Sequence, residues 1–166
     1  MRDESTLTHC EHVSARSFDE VVAAFEAAIG TANNEVIARA VQASMGPEDF
    51  ESRMHGLEGP SGFMLFFVAD HGAWMARVGL KARAKLYIIG NPLIARTMIE
   101  HDIGVGLNVP VSVLIYEEPR SSTCRVAYDL PSSLMGRLNN DRVTAAAKNL
   151  DQKLSALAET ATGASA

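Results

Sequence analysis

The chain reads as an α+β protein: a two-layer sandwich of a mainly antiparallel sheet with helices on one face, plus a helical insertion between the first helix and the second strand. Three observations predict this. Val111 to Glu117 and Thr123 to Tyr128 flank a polar turn, Glu118-Pro119-Arg120-Ser121-Ser122, and form a hairpin, which demands antiparallel pairing. The order of elements mixes hairpins with helical crossovers instead of alternating strictly. There is no GxGxxG, and the glycine-containing stretch Gly104 to Asn108 leads into a strand where a dinucleotide site needs a helix.

Each element has its own signal. Leu7 to Ser14 is expected as a first strand of mixed face. Ser17 then caps an alanine-rich helix from Phe18 to Ile29, in which Val21, Val22, Phe25, Ala28 and Ile29 recur at helical spacing and Gly30 stops the run. Val36, Ile37, Ala40 and Val41 suggest a second helix, and Pro47-Glu48-Asp49 opens a short third one, since proline and acids suit a helix N-terminus. Gly56, Gly59, Pro60 and Gly62 form a breaker-rich link. After it Phe63 to Ala69 is apolar throughout, as a strand buried on both faces would be. Ala84 to Ile89 is the next strand, and Pro92 starts a helix that ends near His101. The last long helix, Asp141 to about Glu159, carries Val143, Ala146, Ala147, Leu150, Leu154 and Leu157 on one face. The chain is thus expected to be one α+β domain over residues 1–160 with an elaboration at about 31–60, and residues 161–166 are expected as a disordered tail.

Composition narrows the function classes. Twenty-four alanines stand against ten aromatics, and Phe50, Phe63, Phe66, Phe67 and Trp74 fall within residues 50–74, so the bulky side chains concentrate around one segment. The net charge of -5 disfavours a surface built for nucleic acid. It is unevenly spread: residues 1–60 carry -7 and residues 61–166 carry +2, and no Asp or Glu occurs from His71 to Ile99. Arg77, Lys81, Arg83, Lys85 and Arg96 all lie in that stretch, and they read as a solvated face paired with the acidic N-terminal third. The longest uncharged run, Ile103 to Tyr116, contains Pro110 and is shorter than the roughly 18 to 20 apolar residues that span a bilayer. No membrane partner is expected. The polar N-terminus lacks a secretory pattern, which gives a cytoplasmic address by default, and Cys10 and Cys124 lack the spacing of a redox or zinc motif.

Three ordered motifs carry a family resemblance. Ala69 to Pro92 contains Asp70-His71, then Gly79-Leu80, then an apolar strand ending Gly90-Asn91-Pro92. Gly106 to Glu118 contains Leu107-Asn108-Val109-Pro110 before a strand ending in Tyr116 and Glu117, and Val126 to Pro131 reads VAYDLP. Together they resemble the bacterial and archaeal family known as domain of unknown function 302. The resemblance implies an α+β fold with an antiparallel sheet and often a homodimer; it offers no established reaction, and the cofactor is unknown.

The residues themselves support several readings. The first is a small-molecule-binding domain with its pocket near Asp70-His71 and the aromatic 50–74 segment, where Phe63, Phe67, Trp74, Arg77, Asn91, Arg96 and Tyr116 would contact the ligand. The second is a cofactor-independent hydrolase, lyase or isomerase using His71 as general acid/base with Asp70 beside it. The third is a haem or metal protein using His71 and His101. A purely structural module would instead dimerise through Leu150, Leu154 and Leu157 or through an exposed strand. Tyr87, Tyr116 and Tyr128, on three expected strands, could line one sheet face.

Overall fold

The structure is a computed structural model and describes residues 4–164. Five antiparallel strands form one sheet: β1 (His9–Ser14), β2 (Met64–Asp70), β3 (Ala84–Gly90), β4 (Val111–Glu117) and β5 (Cys124–Asp129), in the order β1-β5-β4-β3-β2. The helices are α1 (Phe18–Ile29), α2 (Asn34–Ala43), α3 (Pro47–His55), α4 (His71–Met75), α5 (Pro92–Ile99), α6 (Pro131–Met135) and α7 (Asp141–Thr162), with three short 3-10 turns. The α+β sandwich with an antiparallel sheet is therefore the fold of this chain.

Helix α1 starts where the sequence places it because Ser17 and Glu20 form a reciprocal capping box. Its apolar stripe packs with α7 against one face of the sheet. Phe25 meets Tyr87 at 4.9 Å between ring centroids, and Val113, Ile115 and Val126 are buried beneath. The Tyr87 hydroxyl donates to Glu26 at 2.7 Å, and burial followed by that carboxylate pushes its pKa well up. Leu150, Leu154 and Leu157 are all within this core, so they are not available to join a second subunit. Tyr87 and Tyr128 lie on the helix-covered face with Val113 and Cys10 as pairing partners, whereas Tyr116 pairs with Ala84 and Arg125 on the opposite face. The three tyrosines do not share a face.

Two further expectations are corrected. The segment Phe63 to Ala69 is not a central strand buried on both sides. As β2 it forms the sheet edge, with Phe67 58% and Val68 40% exposed. Its unbroken apolarity has two causes. The pairing slips between Leu65 and Phe67, a bulge that inserts Phe66, and the α2–α3 insertion builds a second small core of Ala32, Ile37, Met54 and Met64 over the start of the strand. Residues 161 and 162 are also not part of a tail, because α7 runs to Thr162 and buries Ala161 and Thr162. The orphan carbonyls at its end are taken by the first strand and the residues after it: Ser14 donates to the Thr162 carbonyl, and Arg16 donates to those of Thr160 and Ala161. Residues 165–166 lie outside the described residues.

The face opposite the helices carries a polar cluster on β1, β4 and β5. Glu11 accepts from the Tyr116 hydroxyl at 2.5 Å and from Arg125 at 2.7 Å, and His9 donates Nδ1–H to Asp129 at 2.7 Å when protonated there. The Tyr116 bond first, and the Arg125 bond after the opposing effect of burial, hold the Glu11 carboxyl below its ordinary range. A depressed carboxyl contributes stability above its unfolded value and loses it as the pH falls through the folded one. We expect Glu11→Gln to lower unfolding free energy by about 1 kcal/mol at neutral pH, since the contacts are charge-assisted but partly exposed. The difference between variant and wild type should close as the pH falls through that lowered value. Urea titrations over an acid pH series measure it.

Candidate functional site

An apolar recess lies at one end of the sheet, and local sequence chemistry builds it. Strand β3 ends at Gly90, and the next residue, Asn91, caps α5 by accepting from the Leu93 amide. The Asn91 side-chain amide donates to Glu58 at 2.7 Å and to the Gly62 carbonyl at 2.8 Å. Asn91 is buried, and these bonds tie the breaker-rich link to the start of α5. The link in turn lies on the end of α1. Gly59 approaches the Ile29–Gly30 peptide so closely that a Cβ there would fall 2.3 Å from the Ile29 carbonyl carbon, and Ser61 donates its hydroxyl to the Ala28 carbonyl. Phe63 is thereby driven fully into the core.

Across the cleft stands Pro110, which follows a cis Val109–Pro110 peptide bond. A Cβ at position 90 would come within 2.9 Å of the Pro110 Cβ, so the absence of a side chain at Gly90 lets the two segments meet. Over this junction opens a cleft of about 450 Å³. Phe50 of α3, Phe63, Phe66 of β2, Val109 to Val111 and Leu150 of α7 form most of its walls; Pro92, Ile94, Ala95, Met98 and Ile99 of α5 complete them. Apart from the Asn91 amide, Arg96 is the only polar side chain in the lining.

Of the residues singled out in the sequence, Phe63, Asn91 and Arg96 come together here, along with Phe50 and Phe66 of the aromatic segment. Asp70, His71, Phe67, Trp74, Arg77 and Tyr116 do not line the cleft. Asp70 pairs with Lys85, five positions before Gly90 on β3, about 17 Å away at the usual strand rise. Its carboxylate caps α4 by accepting from the Ala73 amide at 2.8 Å, and it lines a smaller depression of about 310 Å³ with Asp19, Arg83 and Lys85. His71 starts α4 and accepts at Nδ1 from Trp74 Nε1 at 3.0 Å; the Trp74 side chain is 54% exposed. Phe67 and Tyr116 lie on the face without helices, and Arg77 is exposed in a 3-10 turn after α4.

His101 follows α5 and lines a separate polar recess with Asn140 and Arg142. Among the described residues no group of three or more His, Cys, Asp or Glu is placed to hold a metal ion. Burial raises the pKa of both thiols, Cys124 to about 11, which opposes thiolate formation at Cys10 beside His12. The basic stretch is largely paired with the acidic N-terminal third. Arg83 bonds Asp19, Lys85 reaches Glu26 at 3.4 Å, and Arg96 lies 3.8 Å from Glu51.

What sequence reasoning missed is the far wall, Ile94, Ala95, Met98 and Ile99 together with Val109 and Pro110. A signal for it was present, because Gly90-Asn91-Pro92 and Val109-Pro110 are two of the segments that carried the family resemblance. No helix among the described residues is long and apolar enough to cross a membrane.

Comparison with known proteins agrees with this geometry at the level of fold. The family model described as "Domain of unknown function DUF302" matches residues 38–161. The chain is similar to a solved structure described as "Crystal structure of uncharacterized conserved protein DUF302 from Bacillus stearothermophilus", with a TM-score of 0.65 and 15% sequence identity over 92% of this chain and 97% of that one. At that identity the likeness concerns the fold alone. No curated protein matches.

The separation of Asp70 from the cleft makes its role measurable. Asp70→Ala should cost about 1 kcal/mol in urea unfolding through loss of the α4 cap, and Asp70→Asn should recover most of it, since asparagine caps as well as aspartate. An equal loss in both variants would show that the charge, and not the cap, is what matters.

Proposed function

We propose that this chain, which belongs to the DUF302 family, is a binding protein for a small molecule with an apolar body, held in the cleft between α5, α3 and the Val109–Pro110 turn. One observation carries the reading: a recess of about 450 Å³ whose walls are almost wholly apolar and which is assembled from five separate parts of the chain. Ligand sites have this character, a concave apolar lining with few polar groups. The volume falls within the range of about 300 to 1,000 Å³ usual for small-molecule sites. Asn91 shapes the site without addressing the ligand, because both amide hydrogens and the carbonyl oxygen are already engaged.

The catalytic alternative on His71 and Asp70 has less support. The carboxylate is engaged in capping, the ring nitrogen facing Trp74 is engaged with it, and neither residue borders the apolar recess. A metal or haem role for His71 with His101 also has less support, since the two lie beside different recesses or none and lack further ligands among the described residues.

The test uses a neutral fluorescent probe, N-phenyl-1-naphthylamine. Saturable, single-site enhancement is expected with the wild type, weakened at least tenfold by Ala95→Trp, which puts an indole into the cleft. His71→Ala and Trp74→Ala should leave the affinity unchanged. Absence of saturable binding, or binding indifferent to Ala95→Trp and lost with Trp74→Ala, would contradict the assignment.

A further inference from the structure

We infer that the molecule held in the cleft is a monoanionic amphiphile, a carboxylate on an apolar chain, with its head group at Arg96 and its chain along α5 toward Met98; this rests on the binding role proposed above. Arg96 is the one charged residue of the lining, and its side chain is 55% exposed, which places it at the mouth. Its contact to Glu51, at 3.8 Å, is an ion pair too long for a hydrogen bond. A guanidinium presents five N–H donors in a planar fork, and no hydrogen bond from this one is made among the described residues. Arg53, Arg125 and Arg137 are engaged more closely, with Asp49 at 2.8 Å, with Glu11, and with Asn108 and two carbonyls; Arg77, Arg120 and Arg142 make no side-chain hydrogen bond among the described residues either, but they do not line the cleft.

The chemistry of the mouth selects the head group. A planar fork matches a carboxylate with two parallel hydrogen bonds. A dianion such as a phosphate monoester would meet a single cation flanked by acids, since Glu51 is beside Arg96 and Glu58 is bonded to Asn91 of the lining. Glu51 also lies 3.9 Å from His55, so it is a loosely held carboxylate at the position the ligand's own carboxylate would take. It acts as an internal competitor: the anion displaces Glu51 from Arg96 on binding.

Displacement of N-phenyl-1-naphthylamine by octanoate, 1-octanol and octyl phosphate tests this at pH 8, where octanoate is fully ionised. Octanoate should displace the probe at about one tenth the concentration of octanol, and octyl phosphate should be weaker than octanoate. Arg96→Gln should abolish the preference for octanoate, the loss falling at least fivefold more heavily on octanoate than on octanol, and Glu51→Gln should tighten octanoate severalfold with no effect on octanol. Both side chains are largely exposed, so neither substitution threatens the fold. Equal affinity for octanoate and octanol, a preference that survives Arg96→Gln, or tighter binding of octyl phosphate would overturn the inference and leave apolar binding standing. If none of the three displaced the probe, or the probe itself did not bind, both would fall.

Discussion

One buried amide governs the geometry of the cleft. Asn91 occupies a position where three parts of the chain must be held together: the link that crosses the end of α1, the last residue of β3, and the first turn of α5. A buried side-chain amide without partners costs several kcal/mol, so its three bonds fix a single arrangement of those parts. From that arrangement the rest follows. Helix α5 leaves the sheet at an angle that turns Met98 inward and Ile94 and Ala95 toward the recess, and Phe63 is carried beneath it. The close approach of Gly90 to Pro110 completes the floor. The cleft is a consequence of how strands end, not of a dedicated loop.

Much of the fold was legible because local signals and tertiary packing agree. The Ser17–Glu20 box, Pro47, Pro92 and the Glu118–Ser122 turn each force an element boundary whatever their surroundings, and the elements stand there. The site was less legible for a geometric reason. Phe63 and Trp74 are close in sequence, but β2 lies between them, and its seven residues span roughly 20 Å from the cleft to the far end of the sheet. An aromatic cluster in sequence thus became two places in space. Phe50, Phe63 and Phe66 line the recess, whereas Phe67 and Trp74 remain outside it. The edge position of β2 was hidden in the same way, because the bulge at Phe66 and the cover supplied by α2 and α3 let an edge strand carry a wholly apolar sequence.

Charge follows a pattern that the sequence did show. The acidic N-terminal third and the basic middle meet across α1 and β3 through Asp19 with Arg83 and Glu26 with Lys85, and across α3 and α5 through Glu51 with Arg96. These are exposed pairs of small individual worth. Their value here is comparative. The first two lie beside Tyr87 and Phe18 on the covered side of the sheet, where Arg83 also stacks over the Phe18 ring at 4.5 Å. The third has the longest separation of the three and stands at the apolar recess.

The central claim is that an apolar chain enters between α5 and the Val109–Pro110 turn. Isotope-filtered nuclear Overhauser spectra of the protein saturated with octanoate test it most directly. Contacts are expected from the terminal methyl of the chain to the side chains of Met98, Ile99 and Leu150. Contacts confined to Phe67, Trp74 or Leu114, at the opposite end or on the uncovered face of the sheet, would contradict it.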